Sequence, residues 1–179
     1  MSKNVLIISS SPRRGGNSDV LCDEFLKGAL EAGNTGEKLF LRDYKVSYCA
    51  GCETCMTEGG ICPIKDDAPK IIAKMAAADV IVLATPVYFY TMSAQLKTLI
   101  DRCCAGYQQI SGKEFYFIAT AENTNKDELE RTIESLRGFT YCLENPIEKG
   151  IIYGTGVLHR GDINNTEFIN QAIELGRGI

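Results

Sequence analysis

The feature that most constrains the fold of this chain is a repeated alternation of short apolar runs with amphipathic segments. The apolar runs are rich in β-branched and aromatic residues and do not alternate strictly with polar ones, which is typical of strands covered on both faces. Five such runs occur, at residues 5–8, 39–41, 80–84, 115–119 and 151–153. They predict five buried β-strands.

The segments between these runs carry the apolar period of α-helices. In the first segment, apolar side chains recur three and four residues apart from Cys22, and Gly33 ends the pattern. Similar periods occupy residues 68–76, 93–103 and about 126–142, and another begins near Thr166. Because each strand is followed by a helix, the pattern predicts a parallel, doubly wound sheet. With five strands we expect the flavodoxin-like order 2-1-3-4-5 in an α/β three-layer sandwich.

The domain organisation is predicted to be simple. No repeat, low-complexity tract or linker divides the sequence, so residues 1–179 are expected to form one domain. Residues 42–66 form a long cysteine-rich insertion after the second strand, and long loops in compact domains are usually functional. Ligands of such sheets bind at the carboxyl ends of strands 1 and 3, where the strand order reverses. The loops at that edge are therefore the candidates for a binding site.

The loop after the first strand has the composition of a phosphate site. It contains serines, two glycines, two arginines and Asn17, and it leads directly into a helix. Backbone N–H groups, hydroxyls and the helix dipole can hold a phosphate monoester at such a position. The loop is neither a Walker A motif nor G-x-G-x-x-G. The alternative interpretation is a capped helix preceded by a polar turn.

The loop after the third strand, residues 85–93, is apolar and aromatic. Beside a phosphate site it would form a wall for a flat ring, whereas the alternative is a packed loop whose aromatic side chains cover the core. A phosphate cradle and an aromatic wall at one edge predict FMN rather than a dinucleotide as the ligand. The loop after the fourth strand contributes Thr120 and Glu122 as further candidate contacts.

Four cysteines lie close together in the insertion, at Cys49, Cys52, Cys55 and Cys62. The first three have the spacing C-x2-C-x2-C that opens a bacterial ferredoxin motif, and a proline follows the fourth as it does there. This spacing predicts a metal site. A structural zinc site is less typical, because zinc ligands usually form two close pairs that are separated by a longer loop. The other cysteines are predicted to be structural: Cys22, Cys103, Cys104 and Cys142.

Several motifs follow one another along most of the chain. They are Ser-Pro-Arg-x-Gly-Gly-Asn-Ser from Ser11, the cysteine motif, Lys65-Asp66-Asp67, Thr-Pro-Val-Tyr from Thr85, Leu96-Lys97-x-x-Ile100-Asp101-Arg102, and Gly154-x-Gly156 with Gly161-Asp162-Ile163. In this order they resemble the flavodoxin-like NAD(P)H-dependent FMN reductases, and within that family the iron–sulfur flavoprotein branch.

The resemblance implies a set of FMN contacts. The residues that would hold the phosphate are Ser9, Ser11, Arg13, Asn17 and Ser18. Those that would line the isoalloxazine ring are Pro86, Val87, Tyr88 and Phe89. No side chain is expected to act as a catalytic acid or base, because the flavin carries the chemistry.

The resemblance also implies the partners of the reaction. The electron donor would be NAD(P)H or a reduced carrier such as ferredoxin, and the acceptor a ferredoxin, a quinone or an oxygen species. The four clustered cysteines would hold a [4Fe–4S] cluster, although cluster-free relatives carry similar loops. Members of the group commonly form homodimers or homotetramers. Two functions without turnover stay open, a flavodoxin-like electron carrier and a redox- or metal-sensing module.

Charge and hydropathy exclude other classes of protein. The net charge is −4 and no stripe of lysine and arginine stands out, which argues against a nucleic-acid partner. The apolar runs are too short to span a membrane and no cleavable signal is visible, so a cytoplasmic protein is expected. Asp66 and Asp67 are predicted to cap a helix, and Asp101 with Arg102 is predicted to be a solvated pair of charges.

Overall fold

The computed structural model describes the whole chain, Met1–Ile179, as a sheet with helices on both faces. The strands are β1 (Asn4–Ser9), β2 (Thr35–Phe40), β3 (Val80–Pro86), β4 (Glu114–Thr120) and β5 (Ile147–Gly154). The helices are α1 (Asn17–Glu31), α2 (Thr54–Thr57), α3 (Ala68–Ala77), α4 (Ala94–Arg102), α5 (Glu130–Thr140) and α6 (Phe168–Arg177). Every strand pair is parallel, in the order β2-β1-β3-β4-β5. The predicted fold class and strand order are therefore confirmed.

The core lies in two layers, one on each face of the sheet. Successive residues of a strand point to opposite faces, so Leu6 and Ile8 join one apolar cluster while Val5 and Ile7 join the other. The first cluster packs against α3, α4 and α5, and the second against α1 and α6. This arrangement accounts for the apolar runs without alternation, because both faces of the central strands are covered.

Helices α1 and α6 pack closely together because glycines lie at their contact. A Cβ added at Gly28 would lie 2.1 Å from the carbonyl oxygen of Ile173, and one added at Gly176 would lie 2.1 Å from the carbonyl oxygen of Phe25. These distances are far inside van der Waals contact, so the backbones of the two helices touch where side chains are absent.

The largest differences between the predicted and observed strands are at the two edges of the sheet. β2 begins at Thr35 rather than at residue 39, and Leu41 begins a 3-10 turn that follows the strand. β5 begins at Ile147 rather than at residue 151. The first residues of both edge strands are mostly polar and are exposed or half-buried, so no apolar run marks them. No helix combines the length and the apolar character that crossing a membrane would require.

Candidate functional site

A cavity of about 190 Å³ opens at the carboxyl edge of the sheet, where the strand order reverses between β1 and β3. Most of the predicted FMN contacts line it: Ser11, Arg13, Asn17, Ser18, Pro86, Val87, Tyr88, Thr120 and Glu122. The loops after β1, β3 and β4 therefore meet, as parallel strands require of loops at the same edge. Phe89 lines a neighbouring cavity of about 540 Å³, which shares Val87 and Glu122 with the first.

The amino end of α1 is built to receive an anion. Its N-cap residue is Gly16, which has no side chain to cap the helix, and the backbone N–H groups of Asn17, Ser18 and Asp19 have no acceptor within the protein. A Cβ at Gly16 would lie 2.9 Å from both Ser11 Oγ and the carbonyl oxygen of Arg13. Free N–H groups, a positive helix end and the absence of a Cβ fit a phosphate group held against the backbone.

The loop between β1 and α1 is held by hydrogen bonds to a buried carboxylate, that of Asp19. Its Oδ1 accepts hydrogen bonds from Ser9 Oγ at 2.7 Å and Lys38 Nζ at 2.9 Å, and its Oδ2 accepts one from the Gly15 N–H at 2.8 Å. Burial raises the pKa of Asp19, but the hydrogen bonds from Gly15, Lys38 and Ser9 outweigh burial and hold that pKa below its ordinary value. The carboxylate is therefore charged, and Lys38 balances it.

Ser9 is consequently placed differently from the other predicted phosphate contacts. It is fully buried at the end of β1, outside the lining of the cavity, and its hydroxyl is engaged by Asp19. Ser9 therefore lies beneath the loop, where it holds Asp19, and does not line the cavity. The sequence offered no signal for Asp19, since an acidic residue in the first turn of a helix is common.

The loop after β3 forms a tight turn beside the cavity. The Val87 N–H donates to the carbonyl oxygen of Thr120 at 2.8 Å, and Tyr88 and Thr91 exchange two backbone hydrogen bonds. Phe89 and Tyr90 between them have φ of 48° and 63°, the left-handed region. Phe89 is fully exposed as a result. The turn holds Pro86 and Val87 against the cavity and presents two aromatic rings to solvent.

A fourth wall comes from the segment after β5, which sequence reasoning did not assign to the site. Val157, Leu158 and Arg160 line the cavity, and Arg160 Nε donates to the carbonyl oxygen of Gly15 at 3.2 Å. Arg13 Nη1 donates to the carbonyl oxygen of Leu158 at 3.4 Å. The glycines of this segment were the available signal, because Gly156 and Gly161 adopt φ of 70° and 96° and shape its turns.

Residues 42–65 of the cysteine-rich insertion are exposed or half-buried. Cys49 and Cys52 are exposed, while Cys55 and Cys62 are half-buried. The structure does not bring the four thiols together, and no group of three or more His, Cys, Asp or Glu side chains is arranged to hold a metal ion. The start of the insertion contacts the loop after β1, since Arg42 Nη1 donates to the carbonyl oxygen of Pro12 at 2.7 Å.

The insertion is anchored by Arg102, and the prediction that Asp101 and Arg102 form a solvated pair is wrong. Asp101 pairs with Lys97 at the surface, whereas Arg102 lies three residues after Leu99, on the buried face of α4. Its Nη1 donates to Asp66 Oδ2 at 2.6 Å and to the carbonyl oxygen of Ser47 at 2.9 Å. Its Nη2 donates to Cys62 Sγ at 3.3 Å. One buried guanidinium therefore joins both ends of the insertion.

Asp66 is the partner that balances this cation, and both side chains are 1% exposed. Its carboxylate also accepts the N–H groups of Ser47 and of Ala68, the first residue of α3, in agreement with the predicted capping role. Burial raises the pKa of Asp66, but the hydrogen bonds from Arg102, Ser47 and Ala68 outweigh burial and lower the pKa to about 2.

Comparison with known proteins assigns the chain to a family. The family model described as NADPH-dependent FMN reductase matches residues 3–138. An iron-sulfur flavoprotein of Methanocaldococcus jannaschii is 47% identical over 98 residues, which cover 55% of this chain and 50% of that protein. An iron-sulfur flavoprotein of Archaeoglobus fulgidus is 38% identical over 95 residues, covering 53% and 43%. The chain thus spans about half the length of the curated relatives it matches.

Among solved structures, an NAD(P)H:quinone oxidoreductase from Methanothermobacter marburgensis is similar over 99% of this chain and 96% of its own, with a TM-score of 0.77 and 18% identity. At that identity the likeness shows the fold alone. The names of the curated relatives agree with the branch that the motifs predict.

Proposed function

This chain belongs to the NADPH-dependent FMN reductase family, and we propose that it transfers electrons from NAD(P)H through bound FMN to an acceptor. The observation that carries the proposal is the cradle at the start of α1. The N–H groups of Asn17 and Ser18, which have no acceptor, lie with Gly16 and Arg13 in the lining of one cavity at the point of strand reversal. This donor set fits the phosphate of FMN.

Each wall of the cavity has a role in this proposal. Ser11, Asn17, Ser18 and Arg13 bind the phosphate, and Ser9 acts indirectly by holding Asp19. Pro86, Val87, Tyr88 and Phe89 would line the flavin ring, and Thr120 and Glu122 would meet its polar edge. Bound there, FMN would supply the hydride and electron transfer between the reduced nicotinamide and the acceptor. The residues of the cavity would orient the ring for that transfer.

We further propose that Cys49, Cys52, Cys55 and Cys62 hold a [4Fe–4S] cluster. Thiolates are the ligands that such clusters take, and the donor set supplies four of them at ferredoxin-like spacing. Because the four cysteines are exposed or half-buried and belong to neither core cluster, gathering their thiols around a cluster removes no cysteine from the core. Arg102 provides an N–H donor toward Cys62 Sγ, and hydrogen bonds to ligand sulfurs tune such centres.

The test of reductase activity must distinguish an enzyme that consumes NAD(P)H from an electron carrier that does not. The full chain is purified without air and saturated with FMN, and NADH or NADPH is added with an artificial acceptor. We expect one of the two nucleotides to bleach the flavin absorbance and to be consumed continuously when acceptor is present. A flavin that neither nucleotide reduces, but that reduced ferredoxin does, would instead identify an electron carrier without substrate turnover.

The cluster is tested on the same anaerobic protein by iron, zinc and acid-labile sulfide analysis. We expect about four iron and four sulfide per chain, which disappear when the four cysteines are replaced by serine. Zinc in place of iron would favour a structural zinc site, and protein without either metal would identify a cluster-free reductase.

We also propose that residues 1–179 act as one domain and that the protein forms a homodimer or homotetramer, with a quinone or a ferredoxin as acceptor. Light scattering on the purified chain measures the oligomeric state directly, and a monomeric mass at micromolar concentration would contradict that part of the proposal.

A further inference from the structure

A fifth thiol lies against the cysteine-rich insertion. Cys104 belongs to the 3-10 turn Cys103–Ala105 that follows α4, and its Sγ lies 3.9 Å from Cys55 Sγ, 49 positions away in the chain. Cys104 is exposed, whereas its neighbour Cys103 is 1% exposed and packs in the core. The sequence pattern predicts Cys104 to be structural, but its side chain points away from the core.

The approach of the two thiols follows from contact between the two backbone segments. Helix α2, which carries Cys55, packs against the turn that carries Cys104. A Cβ added at Gly60 would lie 3.0 Å from the carbonyl oxygen of Ala105, so the loop that follows α2 also contacts the turn that carries Cys104. A cavity of about 390 Å³ remains between the segments, with both thiols in its lining. A small reagent can therefore reach both thiols, although the two backbone segments that carry them are in contact.

The other exposed cysteines have no such neighbour. Cys49 Sγ accepts the Gly51 N–H, Cys52 Sγ accepts from the Thr54 hydroxyl, and Cys142 Sγ donates to the carbonyl oxygen of Gly138. Cys62 Sγ faces Arg102. Cys55 and Cys104 are therefore the one pair of thiols in contact.

We propose that Cys55 and Cys104 form a reversible disulfide by exchange with a low-molecular-weight disulfide of the glutathione type. The thiolate of exposed Cys104 attacks one sulfur of the reagent, which releases one small thiol and leaves a mixed disulfide on Cys104. The Cys55 thiolate then attacks the Cys104 sulfur and releases the second small thiol. Two protein thiols are oxidised and one small disulfide is reduced to two thiols.

The disulfide would compete with the cluster for one sulfur, an inference that rests on the proposed function. Cys55 is one of the four proposed cluster ligands, and its sulfur cannot bind iron while it is part of a disulfide. Cys104 would then determine whether the insertion is ready to receive a cluster. The disulfide itself needs neither flavin nor iron, and its test is independent of the reductase activity.

The test is thiol mapping on the full chain. Protein treated with a metal chelator and dithiothreitol is desalted, exposed to oxidised glutathione, quenched with acid, alkylated with N-ethylmaleimide and mapped by peptide mass spectrometry. We expect Cys104 cross-linked to Cys55 at least about tenfold more often than to Cys49, Cys52 or Cys62, because effective concentration falls with separation. Recovery of Cys104 mainly as its glutathione adduct, with Cys55 still free, would overturn the proposal.

Two matched variants make the result specific. Cys104→Ser removes an exposed thiol and should abolish both the cross-link and the loss of two hydrogen masses from the intact chain. Cys142→Ser removes another exposed thiol, which shares a second cavity with Cys104 but whose Sγ donates to the carbonyl oxygen of Gly138, and should leave both unchanged. If Cys55 in the Cys104→Ser variant formed a cross-link with another loop cysteine just as readily, the contact between Cys55 and Cys104 would have no chemical significance and the proposal would fail.

Discussion

Arg13 and Arg14 are sequence neighbours with different surroundings. Arg13 lines the cavity, whereas Arg14 pairs with Asp43 and stacks over the Phe40 ring, with its guanidinium carbon 4.3 Å from the ring centre. We expect Arg13→Ala to weaken FMN binding about tenfold, the size of one charge-assisted hydrogen bond at a partly exposed site. Arg14→Ala should leave FMN affinity unchanged. Fluorescence titration of FMN measures both, and equal losses would remove Arg13 from the phosphate site.

Replacing Asp66 should destabilise the protein strongly, because this carboxylate forms a buried ion pair with Arg102. Asp66→Asn leaves the Arg102 cation buried without a counter-charge, and breaking such a pair lowers the free energy of unfolding by about 3–5 kcal/mol. The matched change is Asp101→Asn, which breaks only the exposed pair with Lys97 and should cost about 0–1 kcal/mol. Urea unfolding of the two variants distinguishes the buried pair from the solvated pair that the sequence predicts.

The same carboxylate gives the protein a defined acid sensitivity. Its pKa is lowered from 3.8 to about 2, so the stabilisation is fully present above pH 3.8 and is lost as the pH falls through 2. A shift of this size corresponds to about 2 kcal/mol. The difference in unfolding free energy between wild type and Asp66→Asn should therefore shrink by that amount between about pH 4 and pH 2. A constant difference over this range would show that Asp66 is not the titrating group.

At the scale of elements, the contact between α1 and α6 depends on glycine. Gly176→Ala places a Cβ against the backbone of α1, so the helices must separate and the free energy of unfolding should fall by about 3 kcal/mol. Gly138, at an exposed position of α5, has no atom within 4 Å of its added Cβ. Gly138→Ala should raise the free energy of unfolding by about 0.5–1 kcal/mol, because alanine favours helix. Thermal unfolding of both variants checks the opposite signs.

At the scale of the whole molecule, we expect substitutions in the cysteine-rich insertion to leave the proposed FMN site unaffected. None of the four clustered cysteines is buried, so replacing Cys49, Cys52, Cys55 and Cys62 by serine should change the free energy of unfolding by less than about 1 kcal/mol. FMN affinity should stay within about twofold, since none of these residues lines the cavity. Cys22→Ser, at a fully buried position of α1, should lower the unfolding free energy by about 1–3 kcal/mol. Loss of FMN binding in the fourfold variant would show that the insertion belongs to the flavin site.

Sequence reasoning succeeded where a local pattern had one physical interpretation. The runs around Val5 and Val80 could only be strands covered on both faces, and the Ser-Gly-Asn loop before α1 could only meet the β3 loop at the same sheet edge. It failed at the starts of β2 and β5, where edge strands carry polar residues, and at Arg102, where a charged residue occupies a buried helix face. Both failures involve burial that distant residues decide.

The sequence by itself determined the α/β alternation, the parallel strand order and the loops that meet at the switch point, because period, turn residues and chain connectivity are local properties. The tertiary structure alone decided which polar groups became partners. Asp19 accepts a hydrogen bond from Gly15 in the loop before α1. Arg102 anchors the insertion through Asp66, and Cys104 lies against Cys55. Such contacts join residues far apart in the chain, and their energy depends on desolvation and on geometry that only the packed molecule defines.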